Sequence, residues 1–171
     1  MNLRIELSNP ASIGHIETIV QFVYDYPVEF QELFETVFDT DKNIAWRAGW
    51  ACDKISRKKP EWFTGKHIQK ICLQLIDEQH GGLLRSLLSI LNNLKLPEDI
   101  PVELINKLFD WMISPRSDVS RQALSMKLLY KLSLIQPDFR PELLAYLENI
   151  PVDDYTPGFI SARKKIHKLL K

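Results

Sequence analysis

The sequence predicts an all-α fold, an α-solenoid of about four helical hairpins preceded by one N-terminal helix, on three observations. A five-point apolar stripe occurs four times at a nearly constant interval, the last copy with four of its five points. A helix ending of the type Lys-x-Ser followed by a proline occurs twice, two such intervals apart, with a looser Asn-Leu-Lys version between them. Each striped segment is followed, after Gly, Pro, Asp or Ser punctuation, by a second helical segment. Self-similarity at a fixed period of about 20–50 residues marks a stack of identical units, each too small to bury its own apolar face.

The stripe reads Phe30, Leu33, Phe34, Val37, Phe38, which is the i, i+3, i+4, i+7, i+8 spacing of a helix with one apolar face. It returns as Ile68, Ile71, Cys72, Leu75, Ile76, then as Ile105, Leu108, Phe109, Met112, Ile113, and finally as Leu143, Tyr146, Leu147, Ile150, with shifts of 38, 37 and 38 residues. The helix ending reads Lys54-Ile55-Ser56 before Pro60, Asn93-Leu94 before Pro97, and Lys131-Leu132-Ser133 before Pro137. Proline cannot continue a helix, so each occurrence is a stop.

Taken in order, residues 1–9 alternate Leu3, Ile5 and Leu7 with polar residues, which fits a short strand, a first helical turn or a loose arm. A capping helix follows over 12–26, with Ile16, Ile19, Val20, Val23 and Tyr24 on one face and Pro27 at its end. The repeating units are then approximately 27–60, 61–97, 98–137 and 138–171, within a single domain spanning 1–171. Their second helices are expected over 43–58, 83–95, 117–135 and 158–170, entered through Asp39-Thr40-Asp41, Gly81-Gly82, residues 114–118 and Asp153 to Gly158.

The helix from Asn43 is the most distinctive stretch. At about 100° per residue, Ile44, Ala48, Ala51, Cys52 and Ile55 share one side, where small side chains admit another helix closely. Nearly opposite lie Trp46, Trp50, Asp53 and Arg57, with Arg47, Lys54 and Lys58 between the two faces.

The unit length, the paired helices and the Arg47-Ala48 and Val119-Ser120-Arg121 entries to second helices resemble HEAT and armadillo-like repeats over about residues 13–170. The middle unit departs from this pattern, carrying Arg85 two residues into its second helix. The resemblance implies right-handed stacking, a concave surface lined by second helices, and partners that are proteins or nucleic acids. DNA alkylation-repair glycosylases are also built of HEAT-like repeats, and their groove uses Trp, Asp and Arg. Trp50, Asp53, Trp111 and Arg121 are the same residue types here, without a local motif joining them.

Composition narrows the function classes. Hydrophobic residues at 45% and charged residues at 26% suit a packed domain and argue against disorder. The apolar runs are only a few residues long, so no membrane span is expected, and the charged Met1–Glu6 start does not read as a signal peptide. A cytoplasmic protein is expected. Cys52 and Cys72 sit on apolar faces without a disulfide framework and read as packing residues. The net charge is zero, but residues 1–41 hold eight acids against Arg4 alone, while the last fourteen residues hold five bases and no acid.

No phosphate-binding glycine loop, nucleophile elbow or metal-ligand spacing is present, and His15, His67, His80 and His167 stand far apart, so neither metal nor cofactor is expected. Two candidate surfaces remain. The first is Trp46, Arg47, Trp50, Asp53, Lys54 and Arg57, with Arg121 at the corresponding entry of a later unit, which would offer aromatic planes and cations if second helices face a groove. Packing of both Trp rings against the neighbouring repeat is the commoner fate of large aromatics. The second is the basic patch Arg163, Lys164, Lys165 and Lys168, extended by Lys171, whose alternative role is the polar outer face that a terminal repeat requires. Together these suggest a non-catalytic scaffold that binds another protein through its second helices. Nucleic-acid binding, with or without base excision, is the alternative, and zero net charge counts against it.

Overall fold

The computed structural model describes residues 1–115 and 117–171, and every regular element among them is helical. Arg116, within the loop expected at 114–118, lies outside the described residues. The helices are α1 (Leu3–Ser8), α2 (Ile13–Asp25), α3 (Phe30–Thr36), α4 (Lys42–Lys58), α5 (Gly65–Asp77), α6 (Gly81–Asn93), α7 (Val102–Ile113), α8 (Val119–Ile135), α9 (Arg140–Asn149) and α10 (Pro157–Leu170). Single-turn 3₁₀ segments at Pro27–Glu29, Pro60–Trp62 and Pro137–Phe139 open successive units, and another, Val152–Asp154, lies between α9 and α10.

The helix starts follow from local chemistry. Side chains of Ser12, Asp41, Thr64, Asp118 and Thr156 accept hydrogen bonds from backbone N–H groups of the first turn, satisfying donors that no preceding carbonyl can reach. His80 does the same for α6 through Nδ1, 3.2 Å from the Leu83 nitrogen. The stops at Lys58 and Ile135 fall just before the expected prolines, and both prolines open a 3₁₀ turn into the next unit.

Residues 1–9 resolve as a short helix. Leu3 and Leu7, four residues apart and therefore on one helical face, are fully buried, whereas Ile5 between them is 62% exposed. An alternating pattern this short is compatible with either period, and burial against α3 and α4 decides for the helix.

Helices α2, α4, α6, α8 and α10 pack each on the next, and α3, α5, α7 and α9 each lie against the helix that follows them. The apolar stripes supply the core: Leu33, Phe34, Ile71, Cys72, Leu75, Leu108, Met112, Leu143 and Leu147 are all essentially inaccessible. Helix α3 is shorter than its stripe, so Val37 is buried from the turn that follows it. In α7 the stripe is rotated slightly, with Leu104 buried and Ile105 only partly so. The most extensive contact between helices is that of α4 with α6. Ala45, Ala48, Ala51 and Cys52 are fully buried, and on the side of α4 that meets α6 it is Gly49 that permits the close approach, since a Cβ added there would stand 3.0 Å from Leu83 Cδ1.

Polar contacts also run between neighbouring units at about one repeat's separation. Arg4 pairs with Asp39, Lys42 with Glu78, Lys54 with Glu17 and Lys70 with Glu35. The recurring helix ending belongs to this set. Lys131 Nζ donates to the carbonyls of Leu91 and Asn92 at 3.2 and 3.0 Å and also to that of Leu94, capping the end of α6. One unit earlier, Asn93 Nδ2 donates to Ser56 Oγ at 3.0 Å. The repeat signature is thus a clasp onto the preceding unit.

Candidate binding groove

Helices α4, α6 and α8 leave a groove of about 570 Å³ between them. Trp46, Trp50, Asp53 and Arg57 line it from α4, Arg85, Ser86 and Ser89 from α6, and Ser120, Ala123 and Lys127 from α8. A smaller depression between α2 and α4 adjoins it and shares Arg57, with Lys54, Lys58 and Tyr24 in its wall.

The two tryptophans are held by different constraints. Their rings are nearly parallel, 11° between planes and 6.1 Å between centroids, with His80 5.8 Å from Trp46 on the α6 side. Trp46 also lies directly over the first turn of α6, where a Cβ added at Gly82 would fall 2.6 Å from the indole Nε1. Both rings are partly buried and both face the groove, so packing and display coexist.

Asp53 is only 8% exposed, on the side of α4 opposite its apolar seam. Its Oδ1 accepts hydrogen bonds from Ser89 Oγ at 2.6 Å and Asn93 Nδ2 at 3.3 Å, and its Oδ2 pairs with Arg57 Nη2 at 2.9 Å. A carboxylate so engaged orients Arg57 and ties α4 to α6. Its oxygens are already occupied as acceptors. Arg57 remains exposed, and since a guanidinium carries five N–H donors, it keeps others for a ligand.

Arg47 does not enter the groove. Its Nη1 donates to the carbonyls of Leu7 and Ser8 at 2.9 and 3.3 Å, placing a cation at the C-terminal end of α1, where the helix dipole favours it. Lys54 turns toward α2 and pairs with Glu17 at 3.4 Å. Arg121 pairs with Asp118 at 3.9 Å and rests against Gly81, outside the groove lining. Trp111 likewise lies outside it, packed on the core from α7. Trp50 and Asp53 are therefore brought together, but Trp111 and Arg121 do not join them. On α10, Arg163 turns inward to the Ile150 carbonyl at 3.3 Å, while Lys164, Lys165 and Lys168 are exposed on the outer face and Lys171 approaches Glu148 at 3.8 Å.

Arg85, Ser86, Ser89, Ser120 and Lys127 are groove residues that motif reading passed over. Their spacing is close to the repeat interval: Ser86 and Ser89 stand 36 residues on from Trp50 and Asp53, and Lys127 stands 38 on from Ser89. Arg85 and Lys127 are exposed and make no ion pair among the described residues.

The remaining titratable groups serve the fold. Burial pushes the Cys52 thiol strongly up, with the neighbouring Asp53 charge adding to it, and pushes Cys72 up to about 12. Neither is poised as a nucleophile. His67 completes a capping box with Thr64 and reaches Gln31 Oε1 at 3.1 Å, and burial lowers its pKa. His15 and His167 contact the Glu6 carbonyl and the Glu148 carboxylate. Among the described residues no group of three or more His, Cys, Asp or Glu is placed to hold a metal ion, and no helix is long and apolar enough to cross a membrane.

Comparison with family models settles the lineage: the model of the HEAT repeat domain matches residues 3–170. The chain belongs to the HEAT repeat family. The match includes α1, the segment whose period the sequence left open, and runs through α10. HEAT repeats generally mediate protein–protein interaction. No curated protein matches this HEAT repeat chain.

Proposed function

We propose that this HEAT repeat chain is a non-catalytic scaffold that binds another protein through the groove formed by α4, α6 and α8. The observation that carries the reading is the composition of that groove. Three consecutive second helices contribute partly open Trp rings and the exposed side chains of Arg57, Arg85 and Lys127, with Ser86, Ser89, Ser120 and Ala123 as small or hydroxylic neighbours and Leu124 as an apolar one. Tryptophan and arginine are the residue types that dominate binding energy at protein interfaces, and exposed cations left without a partner are not explained by stability. The occupied Asp53 carboxylate and the buried thiols favour binding over chemistry.

The test is site-specific photocrosslinking with a photoreactive phenylalanine analogue at Ser120 in the groove or at Lys165 on the outer face of α10. We expect adducts in an extract of the source cells from position 120 that are destroyed by protease and resist nuclease. Adducts from position 165 alone would move the interface to α10, and nuclease-sensitive adducts from position 120 would transfer the groove to nucleic acid.

A further inference from the structure

The groove also defines what kind of segment it takes, an inference that rests on the protein-binding reading above. We propose that its occupant is an extended, acidic peptide segment whose carboxylates are held by Arg57, Arg85 and Lys127, with an apolar side chain against Trp50. The charge balance is the first argument. Of the groove's ionisable side chains three are cations and one is an anion, and the anion, Asp53, is matched by Arg57. Arg85 and Lys127 are left as uncompensated charge, one on α6 and one on α8.

Geometry supplies the second argument. Packed helices lie about 8–10 Å apart, so the floor from α4 to α8 spans about 20 Å, the length of about six extended residues. A single extended strand can follow a floor of that length past the Trp46–Trp50 pair, in which the Trp46 ring sits over the start of α6. Ser120 is suited to such a strand: it is exposed and adds a hydroxyl that can bond a peptide backbone, which an extended segment exposes and a helix does not.

The same features disfavour a nucleic-acid strand. A base inserted between Trp46 and Trp50 would need about twice the 3.4 Å stacking distance between parallel planes, and centroids 6.1 Å apart do not provide it. Two uncompensated cations are few for a backbone with a phosphate at every nucleotide, and the chain has no net positive charge to add to them.

A random twelve-residue peptide library, selected on the wild-type chain and counter-selected on the Arg85→Gln/Lys127→Gln variant, tests this directly. Both positions are exposed, so that variant is expected to melt with the wild type by circular dichroism. Retained peptides should be rich in Asp and Glu. Replacing their acids by amides, or using either single Gln variant, should weaken binding about tenfold or more, as loss of a hydrogen bond between charged groups does. Peptides that depend on Trp50 but carry no acidic bias would overturn the acidic assignment while leaving the protein-binding reading intact. A selection that returns no groove-dependent peptide overturns the assignment as well. Tighter binding of a ten-nucleotide oligothymidylate, lost in the double variant, would overturn both.

Discussion

Replacing Gly82 by Ala in this chain is expected to reverse the usual sign of a helical Gly→Ala substitution. Gly82 is the second residue of α6, and alanine in place of glycine within a helix ordinarily stabilises by up to about 1 kcal/mol. Here the new Cβ would meet three indole atoms of Trp46 at 2.6, 2.8 and 2.9 Å, closer than real Cβ contacts come. The ring is flanked on two sides, by Trp50 parallel to it at 6.1 Å and by His80 at 5.8 Å, which restricts how far it can move. Overpacking of this kind costs about 1–3 kcal/mol, so the net effect should be a loss of about 1 kcal/mol. In a chain of this size that corresponds to a fall of about 2–4 °C in Tm. In a Trp46→Ala background the clash disappears, and Gly82→Ala should then stabilise, giving a coupling of about 2 kcal/mol in the double-mutant cycle. Urea denaturation followed by circular dichroism and by tryptophan fluorescence measures all four proteins. Stabilisation by Gly82→Ala in the wild-type background would refute the seating of Trp46 on α6, and with it the shape assigned to the groove.

Four further outcomes are expected. Asp53→Ala should destabilise by about 1–3 kcal/mol in urea denaturation, because Ser89, Asn93 and Arg57 lose their shared acceptor, whereas a carboxylate standing free for catalysis could be removed at no cost. Lys131→Met, which keeps the chain length but removes the donor, should cost about 1–3 kcal/mol by leaving the carbonyls at the end of α6 unpartnered. Arg85→Gln and Lys127→Gln should each change stability by no more than about 0.5 kcal/mol, since both are exposed and unpaired, so any effect they have on ligand capture is read without a folding term. Stability should also fall in two stages on acidification. Burial places the folded-state pKa of His67 below its ordinary 6.5, so stability present above 6.5 is lost as pH drops through the lowered value, and His67→Gln should remove that stage. Burial raises Glu78, but hydrogen bonds from the His80 N–H, Lys42 and Gln74 outweigh it and hold the carboxyl below 4.5; the contribution it makes above 4.5 disappears as pH falls through the lowered value, which melting curves between pH 7 and 3 will resolve.

Much of this architecture was legible in one dimension because solenoid contacts are made between neighbours. A residue that packs on the next unit meets a partner about one repeat away, so the 37- and 38-residue shifts in Phe30, Ile68, Ile105 and Leu143 already encode which surfaces touch. Helix starts at Asp41 and Asp118 and stops near Pro60 and Pro137 were readable for the same reason, since caps and prolines act within a turn. The α4 seam followed from its run of Ala and Cys. Tertiary structure alone decided where long polar side chains went. Arg47, Arg57 and Lys54 share one helix and similar chemistry, yet Arg47 caps α1, Lys54 reaches Glu17 on α2, and only Arg57 enters the groove, because flexible side chains take the partner that a neighbouring helix happens to bring within reach. The helical state of residues 3–8, the closure of Asp53 by Ser89 and Asn93, and the seating of Trp46 over Gly82 belong to the same class. Periodicity specifies which faces meet, and the physical outcome at each face depends on distances of a few ångströms that exist only once the helices are packed.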